Sequence, residues 1–219
     1  MDIMTILCRK EKTSLKLISF RRQYQGRLPT NNMVSISNFY LFENREKGNF
    51  LVRSTEQIPN LCPCCGGRLE VRGSKRRKSI NSAGEKLTLG IRVLKCLDCK
   101  RMHHELPDSL VPYKRYDRES IEAVINGGTS LDVAADDSTI TRWKKWFVTM
   151  AYHFLGCLIS IATKHNEESV KYMSKLPESV LQRIFHFVGD APAWLARIVR
   201  SVVNSNNWIH TRSAFMSGA

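Results

Sequence analysis

Hydrophobic and polar positions alternate in two stretches near the middle of the chain. Leu69 and Val71 fall on one side of the run from Arg68 to Gly73, with Arg68, Glu70 and Arg72 on the other. Leu87, Leu89, Ile91 and Val93 share one face of the run from Leu87 to Cys96. A period of two is that of a β-strand, and Asn81-Ser82-Ala83-Gly84 between the runs is a turn signal, so the pattern predicts an antiparallel hairpin. Ser35 to Phe42 and Asn49 to Arg53 read as two more strands around Lys47-Gly48-Asn49. Residues before Met33 are basic and irregular and are expected to be poorly packed, with Met33 an alternative start of the chain.

Beyond the hairpin the period changes. His104 to Asp117 has two prolines and no helical spacing, and reads as an extended connector. Ile121, Val124 and Ile125 are helically spaced within Arg118 to Asn126, and Gly127-Gly128 ends that helix. Thr129 or Ser130 can cap a short second helix through Ala135. Asp136 to Thr139 then open a third, running to about Phe147 with Ile140, Trp143 and Phe147 inward. Short helix, tight turn and second helix form the helix-turn-helix pattern. Further helices are predicted over Phe147 to Lys164, Glu168 to Lys175, Glu178 to Val188 and Ala193 to Val203. The run from Phe147 to Ala162 is apolar nearly all round, which implies burial, in part against a second copy of the chain. It falls short of the roughly 20 apolar residues that span a bilayer.

The seven cysteines change the picture most. Cys62-x-x-Cys65 and Cys96-x-x-Cys99 are two CxxC turns about thirty residues apart, at the two ends of the predicted hairpin. Each can aim two thiolates at one ion, and together they supply the four ligands of a closed zinc site. An odd count in paired clusters is a poor disulfide framework, and a thioredoxin-like motif would need one CxxC in a βαβ setting. Cys64 could pair with Cys62 only as C-x-C and reads as a spare thiol. His103 and His104 could replace a cysteine, but with four well-spaced thiolates they read as packing, hydrogen-bonding or phosphate-contacting groups. The expected fold class is therefore α+β: a small four-cysteine zinc ribbon, a helix-turn-helix, and a helical C-terminal bundle. The expected divisions are 1–57 as a basic extension with short strands, 58–106 as the ribbon, 107–148 as connector and helix-turn-helix, and 149–219 as the helical region.

A net charge of +14 favours polyanionic partners. Lys75, Arg76, Arg77 and Lys78 lie on or near the hairpin, as phosphate contacts or as a basic loop. On the helix that opens at Ser138, the outward candidates are Ser138, Thr139, Thr141, Arg142, Lys144 and Lys145. Arg142 is the base-reading candidate because a guanidinium grips guanine bidentately, while Lys144 and Lys145 suit phosphate. No phosphate-loop, HExxH or GxSxG motif occurs.

The order of ribbon, HHELP connector and STITRWKKWF resembles the N-terminal part of insertion-sequence transposases. CPCCGGRLEVRGS, CLDCKRMHHELPDSLVPYKRY, STITRW and AWLARIVRSVVNSNNWIHTR resemble more closely a bacterial family of unknown function often encoded on mobile elements. The resemblance implies zinc on Cys62, Cys65, Cys96 and Cys99, and DNA-facing roles for Ser138, Thr139 and Arg142. It departs from the transposases after Phe147, where about seventy helical residues offer no mixed sheet for three carboxylates and two metal ions. The expected function is a non-enzymatic, zinc-containing, sequence-specific binder of double-stranded DNA, cytoplasmic and nucleoid-associated, or else a scaffold whose ribbon docks a transposase or transcription partner.

Overall fold

The computed structural model describes residues 33–43, 48–55, 61–130, 132–165 and 179–209. The predicted helix over Glu168 to Lys175 and everything before Met33, with Cys8, lie outside the described residues. Among the described residues six strands and four helices form a mixed α+β fold. The strands are β1 (Met33–Ile36), β2 (Phe39–Glu43), β3 (Asn49–Ser54), β4 (Leu69–Ile80), β5 (Lys86–Cys96) and β6 (Met102–Pro107). The helices are α1 (Arg118–Ile125), α2 (Asp137–Lys164), α3 (Val180–Val188) and α4 (Trp194–Asn204).

The predicted hairpin is β4 and β5, with Leu69 opposite Cys96 and Ile80 opposite Lys86. It includes Ser74 to Lys78, so the basic run is strand and not loop. β5 organises the whole sheet. Its one edge carries β4, while the other is shared between β3, parallel at Thr88 to Gly90, and β6, antiparallel at Val93 to Lys95. The sheet order is β1-β6-β5-β3-β2, with β4 attached to β5, and the sheet curls. Strands from residues 33–54 and 69–107 thus share one sheet, and β1, all four residues of it buried, pairs with β6. The expected segments 1–57 and 58–106 meet inside that sheet. The HHELP stretch is not a connector; it is β6, a buried interior strand.

β5 also separates two cores. Leu89 and Ile91 point into the main core, with the helices. Leu94 and Cys96, of opposite parity, point to the other face, where Val34, Cys62 and Leu69 join them. A bulge in β4 between Val71 and Gly73 keeps the pairing in step.

The helical layer departs from the prediction in two places. Residues 126–130 and 132–136 lie in turns, bends and loop, so the second helix expected from Thr129 or Ser130 to Ala135 does not form among the described residues. Asp132 accepts the Thr129 backbone N–H at 2.7 Å and its hydroxyl at 3.0 Å, a local alternative to helix. The third helix does not stop at Phe147, but continues as one helix of 28 residues to Lys164. It is long and apolar enough to cross a membrane by length and composition. In this fold it is the centre of the core: Trp146, Phe147, Ala151 and Phe154 are at most 1% exposed. Trp194 of α4 meets Phe147 at 5.4 Å between ring centroids, and Trp208 meets Phe154 at 5.5 Å. The chain's own helices therefore cover much of this apolar run. The side chain of Asn204 holds α4 to β1 by bonding both N–H (2.8 Å) and C=O (3.0 Å) of Ser35.

Candidate metal centre and basic surface

The two cysteine turns are built alike. The backbone N–H of Cys62 donates to the carbonyl of Gly67, and that of Cys96 to Arg101, both at 2.9 Å and both across five residues. Four residues after each first cysteine the backbone is left-handed, at Gly66 (φ 74°) and Lys100 (φ 62°). Glycine adopts this without cost; Lys100 adopts it with its Nζ bonded to the carbonyl of Leu97 at 2.5 Å. The first sulfur of each turn accepts two backbone N–H groups, from Cys64 and Cys65 in one and from Asp98 and Cys99 in the other. The second sulfur accepts one, from Gly67 or Arg101. The turns approach so closely that a Cβ on Gly67 would lie 2.2 Å from a carboxylate oxygen of Asp98. No side chain larger than hydrogen fits there unless Asp98 moves.

This brings Cys62 Sγ within 3.7 Å of Cys99 Sγ, and Cys65 Sγ within 3.5 Å of Cys96 Sγ. All four sulfurs lie within 4.8 Å of one another. A tetrahedral site with zinc–sulfur bonds of about 2.3 Å has sulfur–sulfur edges of about 3.8 Å. Four thiols in that arrangement, receiving six backbone N–H bonds, fit a tetrahedral thiophilic cation. Burial raises the Cys62 thiol. Burial works the same way on Cys96, but the N–H groups of Cys99 and Asp98 and the neighbouring thiols bring it down to about 7.

The other candidates sit around this centre. His103 is fully buried on β6, with Nε2 3.4 Å from Cys62 Sγ and no partner on Nδ1. Burial and the nearby Arg101 and His104 lower its pKa and keep it neutral. Cys64 lies beside the centre and accepts from Arg101 Nη1 at 3.4 Å. Cys62, Cys64 and His103 are also close enough to form an alternative three-ligand group. Behind the centre Arg92 forks onto Glu105 at 2.6 and 2.5 Å, so the nearly buried carboxylate is paired.

The structure sorts the predicted basic residues by strand parity. Arg76 and Lys78, opposite Gly90 and Thr88, share the sheet face of Leu94 and Cys96 and are exposed. Lys75 and Arg77, opposite Ile91 and Leu89, are on the helical face. There Arg77 donates to the carbonyls of Val111 and Lys114, both at 3.0 Å, and burial lowers its pKa. Its Nη2 thus pins the connector to the hairpin.

On α2, Ser138, Thr141, Arg142 and Lys145 are exposed and Thr139 and Lys144 half-buried, while Ile140 and Trp143 are in the core. Asp136 caps this helix. Its carboxylate accepts from Ser138 Oγ (2.6 Å), Thr139 N (2.7 Å) and Thr139 Oγ1 (3.0 Å). Arg142 folds back onto Ser138 Oγ at 3.2 Å and Thr139 Oγ1 at 2.8 Å. The hairpin tip reaches the same region: Ala134 N–H donates to the carbonyl of Ser82 at 3.2 Å. Arg197 binds the carbonyls of Val188, Gly189, Ala191 and Pro192. Reading the sequence alone missed Lys114, whose ammonium sits 4.2 Å from the Trp146 ring centroid. Its partners are far along the chain and leave no local signal.

Residues 62–143 match a family described as a domain of unknown function, DUF6431. The match begins at the first cysteine of the centre and ends in the second turn of α2. No curated protein matches this chain, and no solved structure does.

Proposed function

We propose that this chain is a zinc-containing, sequence-specific binder of double-stranded DNA, acting as a site-recognition or regulatory component of a mobile element on the nucleoid, without a catalytic domain of its own. The observation that carries this reading is a four-thiol centre closing a hairpin whose exposed cations are unmatched. Among the described residues Lys75, Arg76, Lys78, Arg142, Lys144 and Lys145 form no ion pair. Unpaired cations on a fixed scaffold are what phosphate neutralisation requires. Zinc is the proposed ion because four thiolates at tetrahedral spacing form the closed structural site it favours. In this reading the hairpin is a zinc ribbon, and α1 and α2 act as a helix-turn-helix with a long turn. The first turns of α2 enter the major groove.

The test is elemental analysis of the purified protein together with anisotropy titrations of labelled duplex from about 50 to 200 mM salt. One zinc per chain and a log–log slope of several units are expected. A stoichiometric iron signal overturns the zinc assignment, and affinity independent of salt overturns the DNA assignment.

A second reading, a scaffold whose ribbon docks a transposase or transcription partner, is favoured by Leu61, Val71 and Met102. These are 68%, 52% and 41% exposed beside the cysteine turns. Charged substitutions there would abolish partner capture and spare DNA binding.

A further inference from the structure

Lys114 is an unusual lysine. Its half-buried ammonium rests on the ring of Trp146, yet among the described residues no carboxylate pairs with it. Removing an ammonium from water is costly unless an anion compensates, and a ring face supplies only part of that. Its surroundings add positive charge. Arg142 lies four residues before Trp146, on the same face of α2, and Arg77 grips the carbonyl of Lys114 itself at 3.0 Å. The electrostatics agree: burial and then Arg142 push the lysine down to about 8. Asp136 lies close enough to Arg142 to feel its charge, but its oxygens are already occupied by Ser138 and Thr139.

We propose that Lys114, held against Trp146, clamps one backbone phosphate of bound DNA. The Trp146 ring holds the ammonium in place, and the positive charge of Arg142 beside it adds to the pull on that phosphate. This rests on the DNA-binding reading and adds to it a contact from the connector. The clamp fixes where the backbone crosses α2, and so which bases the first turns of that helix can reach.

The experiment compares wild type, Lys114→Met and Lys114→Arg on a selected duplex and a scrambled one. Methionine keeps the apolar stem over Trp146 and removes the charge. Lys114→Met is expected to weaken both complexes by roughly three- to tenfold and to make the salt slope shallower by about one unit. Lys114→Arg keeps the wild-type slope. The melting temperature of Lys114→Met without DNA should equal or exceed that of wild type, because an uncompensated buried charge is gone. A wild-type slope in Lys114→Met, or a lowered melting temperature with unchanged DNA affinity, overturns the clamp and leaves the DNA reading standing. Wild type that fails to bind any duplex overturns the DNA reading itself. If inorganic phosphate at constant ionic strength stabilises wild type as strongly as duplex does, and Lys114→Met loses that effect, the occupant is a free phosphate and the backbone assignment is overturned.

Discussion

His103 Nε2 lies 3.4 Å from Cys62 Sγ, with both side chains buried. Nδ1 has no partner, so the proton belongs on Nε2, directed at the sulfur. A hydrogen bond of this kind stabilises a metal-bound thiolate without adding a ligand. His103→Ala should therefore keep one metal per chain and bind it roughly 10- to 100-fold more weakly, with His103→Gln closer to wild type. Competition with a chromophoric chelator measures both. Complete loss of metal in His103→Ala would instead make the imidazole a ligand and point to the group of Cys62, Cys64 and His103.

Removing the ion should melt one end of the molecule. The core beneath the cysteines consists of Val34, Cys62, Leu69, Leu94 and Cys96, too few apolar groups to hold themselves. All four tryptophans lie in the other core. A strong chelator, or serine at Cys62, Cys65, Cys96 or Cys99, should expose amides around residues 62–72 and 93–103 to hydrogen exchange while tryptophan emission stays near its native value. Cys64→Ser should retain the metal. Simultaneous loss of both signals would show a single cooperative unit instead.

How far these features could be read from the chain depends on whether their causes are local. β4 and β5 were legible because alternation and a turn signal are written in consecutive residues. β6 was not, because it buries His103 and Glu105; their partners, Cys62 in the first cysteine turn and Arg92 on β5, come from elsewhere in the chain, so the strand looks polar and irregular. The clustering of the four cysteines was legible from spacing alone, whereas the turning of Arg77 onto the helical face depends on strand parity. Neighbouring strand residues face opposite ways, so a run of four basic residues cannot form one surface. The length of α2 was hidden because nothing marks a boundary at Phe147, and none exists.

Glu122, on α1, supplies the cap that α4 lacks. Ala193 begins α4 with no side-chain cap, and the Glu122 carboxylate on α1 accepts the N–H groups of Ala193 at 2.8 Å and Leu195 at 3.2 Å. Arg118 pairs with the same carboxylate at 3.5 Å. Glu122→Ala leaves those donors buried and unpaired, and should lower stability by roughly 1–3 kcal/mol in a denaturant melt. Glu122→Gln should recover part of that. An unchanged midpoint in Glu122→Ala would mean that water satisfies the helix end.

Asp136 holds the start of α2. Hydrogen bonds from Ser138 Oγ, and then from Thr139, depress its pKa to about 2 against an ordinary value of 3.8. The cap is therefore complete above pH about 4 and is lost as pH falls through about 2, and the Thr139 amide resonance should titrate with it. Asparagine caps as well as aspartate but carries no charge to repel phosphate. Asp136→Asn should thus keep the helix and raise DNA affinity by roughly two- to fivefold, the scale of one exposed charge interaction. Weaker binding would mean that the carboxylate positions Arg142 and does not simply oppose the DNA.

The two basic surfaces should divide the work on DNA. Arg142 stands on the exposed start of α2, where a guanidinium freed from Ser138 and Thr139 can reach a base edge. A good bidentate contact there is worth roughly 1–3 kcal/mol of discrimination. Arg76 and Lys78 lie on the opposite sheet face, beside the metal centre, where strand side chains meet phosphates that are alike in every sequence. Arg142→Ala should bring the affinities for a selected site and for scrambled DNA together. Replacing Arg76 and Lys78 by alanine should weaken both equally and make the salt slope shallower by roughly one to two units. Arg77 is no substitute in this test, because losing it frees the carbonyls of Val111 and Lys114 and disturbs the connector. If Arg142→Ala leaves the affinity ratio unchanged, α2 does not choose the sequence. If the Arg76 and Lys78 pair leaves the slope unchanged, DNA meets the helical face alone, and the metal-bearing face is left for a protein partner.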